Sequence, residues 1–257
     1  MAVRPHSAPE LFRPGSVQEL LASFGDGTDT AILAGGTVLV PDLVHRRVRP
    51  RRVVALPEQL AGVSRMDGKV TIGAATRIPE LESAPEPLAT AAHHVSDLEV
   101  RAQATVGGNL CVRSSDAPRG DLQAPLLVLG ATVRTAGAGG ERTEPLEDFL
   151  ASGPAGRVLL DVSFDDVERQ TGYAAVWRTH AHHYTILAVA AARRDGETRV
   201  AVTGAEPTAV RLPSVEAGGS PADALSDVDP PDDALASGWY RRRVLPKLVE
   251  QALSSLE

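Results

Sequence analysis

The 257-residue sequence predicts a chain of mixed helices and strands. Three observations carry this. Near the start, two short apolar runs, Thr30-Ala31-Ile32-Leu33 and Val53-Val54-Ala55-Leu56, have the length of buried strands and alternate with a segment of helical periodicity. Farther on, the apolar run at 186–192 is followed by Arg199-Val200-Ala201-Val202 across an Arg194-Asp195-Gly196 turn, the pattern of a hairpin. The chain closes on a helix over about 234–256, with Tyr240, Val244, Leu248 and Leu253 assigned to its buried side.

Taken in order, residues 1–14 are an extended lead-in. Ser16 caps a helix whose apolar positions Val17, Leu20, Leu21 and Phe24 have helical spacing, and Gly25-Asp26-Gly27 ends it. The strand at 30–34 and a glycine turn follow, then a short helix or turn carrying Leu39, Val40, Leu43 and Val44, then the second strand. This opening is an α/β unit. Gly68-Lys69-Val70-Thr71-Ile72-Gly73-Ala74 is a turn and strand. A helical stretch begins at Ile78 and is broken by Pro85 and Pro87. Residues 88–94 form a helix, on which His93 and His94 are surface positions. Apolar segments at 125–129 and 131–134 are split by Gly130, residues 137–140 are a loop tip, and 146–150 a short helix. Residues 158–162 and 173–177 are strands with a polar boundary at 165–171. The Pro-, Asp-, Ser- and Gly-rich stretch 213–233 is a loop or linker.

Composition limits the function. Hydrophobic residues make up 43% of the chain, enough for a core, but aromatics only 4%, so that core is aliphatic. The formal charge of −7 argues against a general nucleic-acid binder. Arg46, Arg47, Arg49, Arg51 and Arg52 form a local basic run. Its plain reading is a solvated loop, and docking of an acidic partner or a phosphate is the minority one. The single cysteine, Cys111, excludes a disulfide framework and a Cys-ligated cluster within this chain. No apolar run reaches membrane-spanning length and no signal-peptide core is present in the first residues, so the expected location is the cytoplasm.

Two glycine turns stand out. The strand ending at Leu33 runs into Ala34-Gly35-Gly36-Thr37-Val38, and a second turn reads Thr105-Val106-Gly107-Gly108-Asn109. A strand running into Gly-Gly-Thr leaves successive backbone N–H groups convergent, and such a nest binds anions, phosphates above all. Glycine permits the close approach and positive φ. Thr37 and Thr105 add hydroxyls, and Asn109 a side-chain amide. A lone Gly-Gly is most often only a turn. Two matched copies suit the two halves of a pyrophosphate. Neither is the dinucleotide fingerprint or the P-loop.

The order of segments resembles the FAD-binding, or medium, subunit of the molybdenum hydroxylases, the carbon monoxide dehydrogenase and xanthine dehydrogenase type. The family's A-G-G-T-D-L is matched at 34–39, with Val38 in place of the acidic residue. Its G-x-I-x-I-G-A-x-T is matched at 68–76, and its R-x-x-A-T-I-G-G-N-L by Arg101 and residues 104–110. Asp121 before Leu126-Leu127-Val128-Leu129, and Tyr240-Arg241 near the end, match later landmarks. The resemblance covers nearly the whole chain. It implies an α+β fold: two α/β subdomains gripping FAD, at 1–57 and 58–165, and a small C-terminal α+β domain at 166–257. It implies that the two glycine turns hold the FAD pyrophosphate and that Asp121 lies on the ribityl and flavin side. It further implies iron–sulfur and molybdopterin subunits as partners, with NAD, oxygen or a quinone as electron acceptor.

His180, His182 and His183 with Tyr184 form a dense cluster. Alternation along a strand can put two imidazoles on one side, as a metal site would use them. No local carboxylate or cysteine accompanies them, so no metal site is assigned. The family resemblance puts this segment near the flavin, where an imidazole can move a proton; an exposed loop is the plain reading. No catalytic residue is assigned beyond these candidates. Three functions stay open: the electron-transfer flavoprotein subunit, a stand-alone FAD oxidoreductase with its own small-molecule substrate, and an assembly scaffold that has lost flavin.

Overall fold

A computed structural model describes residues 8–113, 119–178 and 184–256. The first stretch builds β1 (Glu10–Phe12), α1 (Val17–Phe24), β2 (Thr30–Leu33), α2 (Leu39–Val44) and β3 (Arg52–Ala55). Its sheet is parallel, in the order β1-β3-β2. The Ser16 hydroxyl accepts from the Glu19 N–H at 3.1 Å and starts α1 where the sequence places it. Leu20 and Phe24 of α1 are buried with Val54. Each such side chain contributes about 1.5–3 kcal/mol of transfer free energy.

The next stretch contains β4 (Val63–Met66), β5 (Lys69–Gly73), α3 (Leu88–His93), α4 (Leu98–Gln103), α5 (Val106–Leu110), α6 (Gln123–Val128), β6 (Thr132–Gly137), β7 (Gly140–Pro145), α7 (Leu146–Ser152) and β8 (Arg157–Asp165). Its five-stranded sheet is antiparallel, in the order β4-β5-β8-β6-β7. The apolar segments on either side of Gly130 become a helix and a strand. Gly130 takes φ +69°, and its N–H bonds to the Leu127 carbonyl, closing the helix.

The last stretch holds β9 (Gln170–Trp177), β10 (Thr185–Arg194), β11 (Glu197–Thr203), β12 (Val210–Arg211), α8 (Pro213–Glu216) and α9 (Gly238–Ser254). Its sheet is antiparallel, in the order β12-β11-β10-β9. The β10–β11 turn has positive φ at both Asp195 and Gly196, which suits the twist of a tight hairpin. Helices and sheets together make the fold α+β. Each sheet is drawn from one continuous stretch of chain, but the cores are shared. Ala190, Ala192 and Ala201 pack into the same cluster as the five-stranded sheet.

Two expectations fail at the C-terminal end. The segment 213–233 is not a linker: it contains α8 and a 3-10 helix, Pro221–Ser226, each started by proline. Asp227 fastens the two by accepting from the Ser214 N–H and hydroxyl. The helix begins at Gly238 rather than 234, capped by the Ser237 hydroxyl. Its buried positions are Gly238, Arg241, Leu245, Leu248, Val249 and Ala252, so the stripe is rotated from the one expected, and Tyr240, Val244 and Leu253 lie at its margin. An arginine, Arg241, is fully buried among these positions. Among the described residues, no helix is long and apolar enough to cross a membrane.

Candidate functional site

The first glycine turn leaves β2 at Leu33 and feeds α2. Strand ends of this kind, at the carboxyl edge of a parallel sheet, are where open α/β sheets take ligands. Gly36 has φ +77°, which only glycine adopts without strain. Val38 is the residue before α2 and makes no side-chain cap. Among the described residues, the N–H groups of Gly35, Gly36, Thr37 and Val38 reach no protein acceptor. Four consecutive donors are thus left open on one half-buried turn.

The second turn is close by. A Cβ on Gly35 would lie 2.2 Å from the Gln103 carbonyl oxygen and 2.9 Å from Ala104 Cα, and one on Gly108 would lie 3.7 Å from Ala34 Cβ. The two turns therefore interlock through their missing side chains. They are not equivalent, however, and the expectation of two matched nests needs correcting. The Val106 N–H donates to Thr76 O at 2.9 Å, Gly107 to Ala74 O at 2.9 Å, Gly108 to the Thr105 hydroxyl at 3.2 Å and Asn109 to Thr105 O at 2.9 Å. These donors are spent inside the protein, because the turn is also the start of α5 and the edge on which β5 ends. Gly107 is a packing residue: a Cβ there would sit 2.7 Å from Ala74 Cβ. Gly108 is helical, so its small size matters and a positive φ does not.

Asn109 also departs from its expected role. Its Oδ1 accepts from the Leu122 N–H at 2.9 Å, and its Nδ2 lies 3.5 Å from Arg119 O. The amide faces inward and clasps the segment 119–122 to α5. Gln123, which the sequence reading passed over, completes the clasp. Its Nε2 donates to Val112 O at 2.9 Å and Leu110 O at 3.2 Å, and its Oε1 accepts from the Ala209 N–H at 2.8 Å.

That clasp positions Asp121, which is only 5% exposed. Its Oδ1 is buried and has no hydrogen-bond partner among the described residues. Asp121 does not cap α6: the residue before that helix is Leu122, and no side chain caps it. Burial pushes the carboxyl up to about 6, opposed by the neighbouring Thr185 hydroxyl and the charge of Arg119. Thr185 acts on the carboxylate from nearby but stands outside hydrogen-bond geometry, so its Oγ1 is also an unpartnered buried atom. The Tyr173 hydroxyl and Trp177 Nε1 are in the same condition. Tyr173 feels the Asp121 charge as well as burial, and both drive its phenol up. Trp177 and Thr185 are paired across β9 and β10, and Tyr173 shares their face by the two-residue period of the strand. Two polar side chains of the C-terminal sheet, Thr185 and Tyr173, therefore bear on Asp121.

The remaining candidates are placed as follows. His180, His182 and His183 lie outside the described residues. Tyr184 precedes β10, and its carbonyl accepts from the Arg178 N–H at 2.9 Å. His94 is no plain surface residue: its ring stacks on Trp177 at 4.7 Å and its Nδ1 meets Thr90 O at 2.8 Å. Burial pushes the Cys111 thiol up to about 12, which keeps it protonated and inert. Among the described residues, no cluster of three His, Cys, Asp or Glu side chains is arranged to hold a metal ion.

An open anion-binding turn, together with an unpartnered buried carboxylate on the segment clasped to the second turn, suits a ligand carrying both phosphate and hydroxyl groups. Comparison with known proteins agrees. The chain is 28% identical over 276 residues to the 6-hydroxypseudooxynicotine dehydrogenase complex subunit alpha of Paenarthrobacter nicotinovorans, covering 93% of this chain and 91% of that one. It is 27% identical to the carbon monoxide dehydrogenase medium chain of Hydrogenophaga pseudoflava, covering 96% of each. The fold superposes on a chain of the solved Hydrogenophaga pseudoflava carbon monoxide dehydrogenase with a TM-score of 0.86 and 25% identity, over 98% of both chains. Residues 6–164, more than half of the sequence, match the model of the FAD binding domain in molybdopterin dehydrogenase, and the chain belongs to that family.

Proposed function

We propose that FAD is seated between the two glycine turns, with its pyrophosphate on the open N–H groups of Gly35, Gly36, Thr37 and Val38 and its ribityl side at Asp121. The observations that carry this reading are the run of four donors without acceptors on the first turn and, on the segment that Asn109 clasps to the second turn, a buried carboxylate oxygen without a donor. A pyrophosphate needs the first, and sugar or ribityl hydroxyls satisfy the second. Leu33 and Ala34 bring the strand to the turn. The Thr105 hydroxyl and Gly108 form the facing wall, and Gly107 lets that wall pack closely on Ala74. Asn109 contributes by holding Asp121 in place. When bound, FAD supplies the redox chemistry; the chain binds it, orients it and sets the charge around it.

On this reading the protein is the FAD-binding electron-transfer subunit of a molybdenum hydroxylase-type dehydrogenase. The relatives named as a complex subunit and a medium chain, matched over nearly their whole length, support a place in a complex with iron–sulfur and molybdopterin subunits. A cytoplasmic location fits the single, half-buried free thiol.

Purification from the native source tests both parts. The protein is expected to carry a flavin spectrum and to release the flavin to the filtrate on denaturation, because the first turn, residues 33–38, contains no His or Cys to bond it covalently. Iron–sulfur and molybdenum chains are expected to copurify. A colourless protein would defeat the cofactor reading. Flavin-dependent activity of the chain alone, with no partner, would defeat the subunit reading.

A further inference from the structure

A cleft of about 300 Å³ opens where the end of α6 meets the β10–β11 hairpin, and it shares no lining residue with the proposed cofactor site. The strand register builds one wall. Ala192 lies opposite Arg199, and Arg194 opposite Glu197, so these four share a face of the hairpin. Ala192 is buried in the same core cluster as Val128 and Leu129 at the end of α6, which turns that face toward the helix end. A Cβ on Gly130 would lie 2.4 Å from Arg199 Nη1, so the guanidinium occupies the room a side chain would take. Arg169, from the segment after β8, meets the same spot. Its Nη1 donates to the carbonyls of Asp165 and Val167 at 3.0 and 3.1 Å, and its Nη2 to that of Leu129 at 3.4 Å.

Three guanidiniums thus line one cleft. Arg241, buried in α9, shows how this chain matches a guanidinium inside the protein: both oxygens of Asp233 accept from it, at 2.7 and 2.8 Å. The cleft is built differently. Arg194 meets Asp195 through Nε at 3.0 Å, and Arg199 donates to Glu197 from Nε at 3.1 Å. Among the described residues, the terminal nitrogens of both make no hydrogen bond, and Arg169 bonds carbonyls alone. Burial holds the Arg169 guanidinium below its ordinary range, and the charges of Arg194 and Arg199 act in the same direction, against Asp165 and Asp166. The carboxylates of the lining are Asp165, Asp195 and Glu197, so its charges are equal in number. A monoanion therefore suits it better than a phosphate dianion, which would leave a larger negative excess.

We propose that this cleft binds a small organic monocarboxylate, its oxygens on the terminal nitrogens of Arg194 and Arg199 and its apolar body against Val128, Leu129 and Ala192. A planar carboxylate matches the guanidinium fork, and the volume is that of a small-molecule site. The site is independent of the FAD reading.

Benzoate and its neutral counterpart benzamide are the probes, titrated calorimetrically into the purified protein at constant ionic strength near neutral pH. Benzoate is expected to bind saturably in the millimolar range, and benzamide about tenfold more weakly. Arg194→Gln and Arg199→Gln are each expected to weaken benzoate binding about tenfold. Both side chains are at least a third exposed, so the melting temperature should stay near that of the wild type. Benzoate bound equally by the wild type and both variants would lie elsewhere, such as on the open N–H groups of the first turn, and would overturn the proposal. Equal binding of benzamide would overturn it too, because the cleft would then hold the apolar body rather than the carboxylate. So would the absence of saturable benzoate binding.

Discussion

Gly35→Ala is expected to weaken FAD binding by about a hundredfold, on the order of 3 kcal/mol, and to lower the melting temperature of the apo protein. The new Cβ would stand 2.2 Å from the Gln103 carbonyl oxygen and 2.9 Å from Ala104 Cα. Both are backbone atoms at the end of α4, so no side chain can swing away. Overpacking of this sort costs about 1–3 kcal/mol, and relief comes only by separating the two turns. That separation removes the wall facing the open N–H groups. Gly36→Ala makes the comparison. There the nearest atom is Val40 Cγ2 at 3.3 Å, a side chain that can yield, and the cost is the strain of φ +77°. A flavin titration and an apo melt on both variants give the answer. If Gly35→Ala binds FAD as the wild type does, the interlocked turns are not the cofactor site.

Asp121→Asn is expected to move stability and affinity in opposite directions. In the folded apo protein the carboxyl is held near 6 against an ordinary value of 3.8, because burial disfavours its charge. Ionising it at neutral pH therefore costs the fold about 3 kcal/mol. The folded state holds this proton more tightly than the unfolded state. The penalty is thus absent below pH 4 and fully present above pH 6. The asparagine variant escapes it, so its apo form should melt higher than the wild type at pH 7.5, with the gap closing as the pH falls toward 4. FAD affinity should drop, since a hydrogen bond to a charged acceptor contributes roughly 1.5–3 kcal/mol, about ten- to a hundredfold. A scaffold residue would lose stability on the same change. A lowered apo melting temperature with unchanged affinity would take Asp121 out of the site.

Much of this protein was legible in its residues, because the signals are local. Ser16 with its periodic apolar partners starts α1, Asp195-Gly196 turns the hairpin, and Ala34-Gly35-Gly36-Thr37 interrupts a strand in a way that bares N–H groups. Each depends on a few neighbouring residues and on backbone sterics that the chain cannot evade. The likeness to the FAD-binding family was legible for the same reason, in short motifs in a fixed order. What tertiary structure decided concerns groups whose partners lie far along the chain. The two glycine turns look alike in sequence, yet only the first keeps its donors, because β5 delivers the carbonyls of Ala74 and Thr76 to the second. Asn109 resembles a ligand-binding amide until Leu122 is folded against it. Arg241, on a helix whose other arginines, Arg242 and Arg243, are exposed, gave one sign of its fate: it stands in the stripe of Leu245, Leu248 and Ala252. An arginine in an apolar stripe must find a carboxylate, but the sequence holds 33 acidic residues and names none of them as the partner. Local sterics and hydrogen bonding write the elements and their caps into the sequence. The pairing of buried charges is a long-range electrostatic choice, made only when distant segments close on one another.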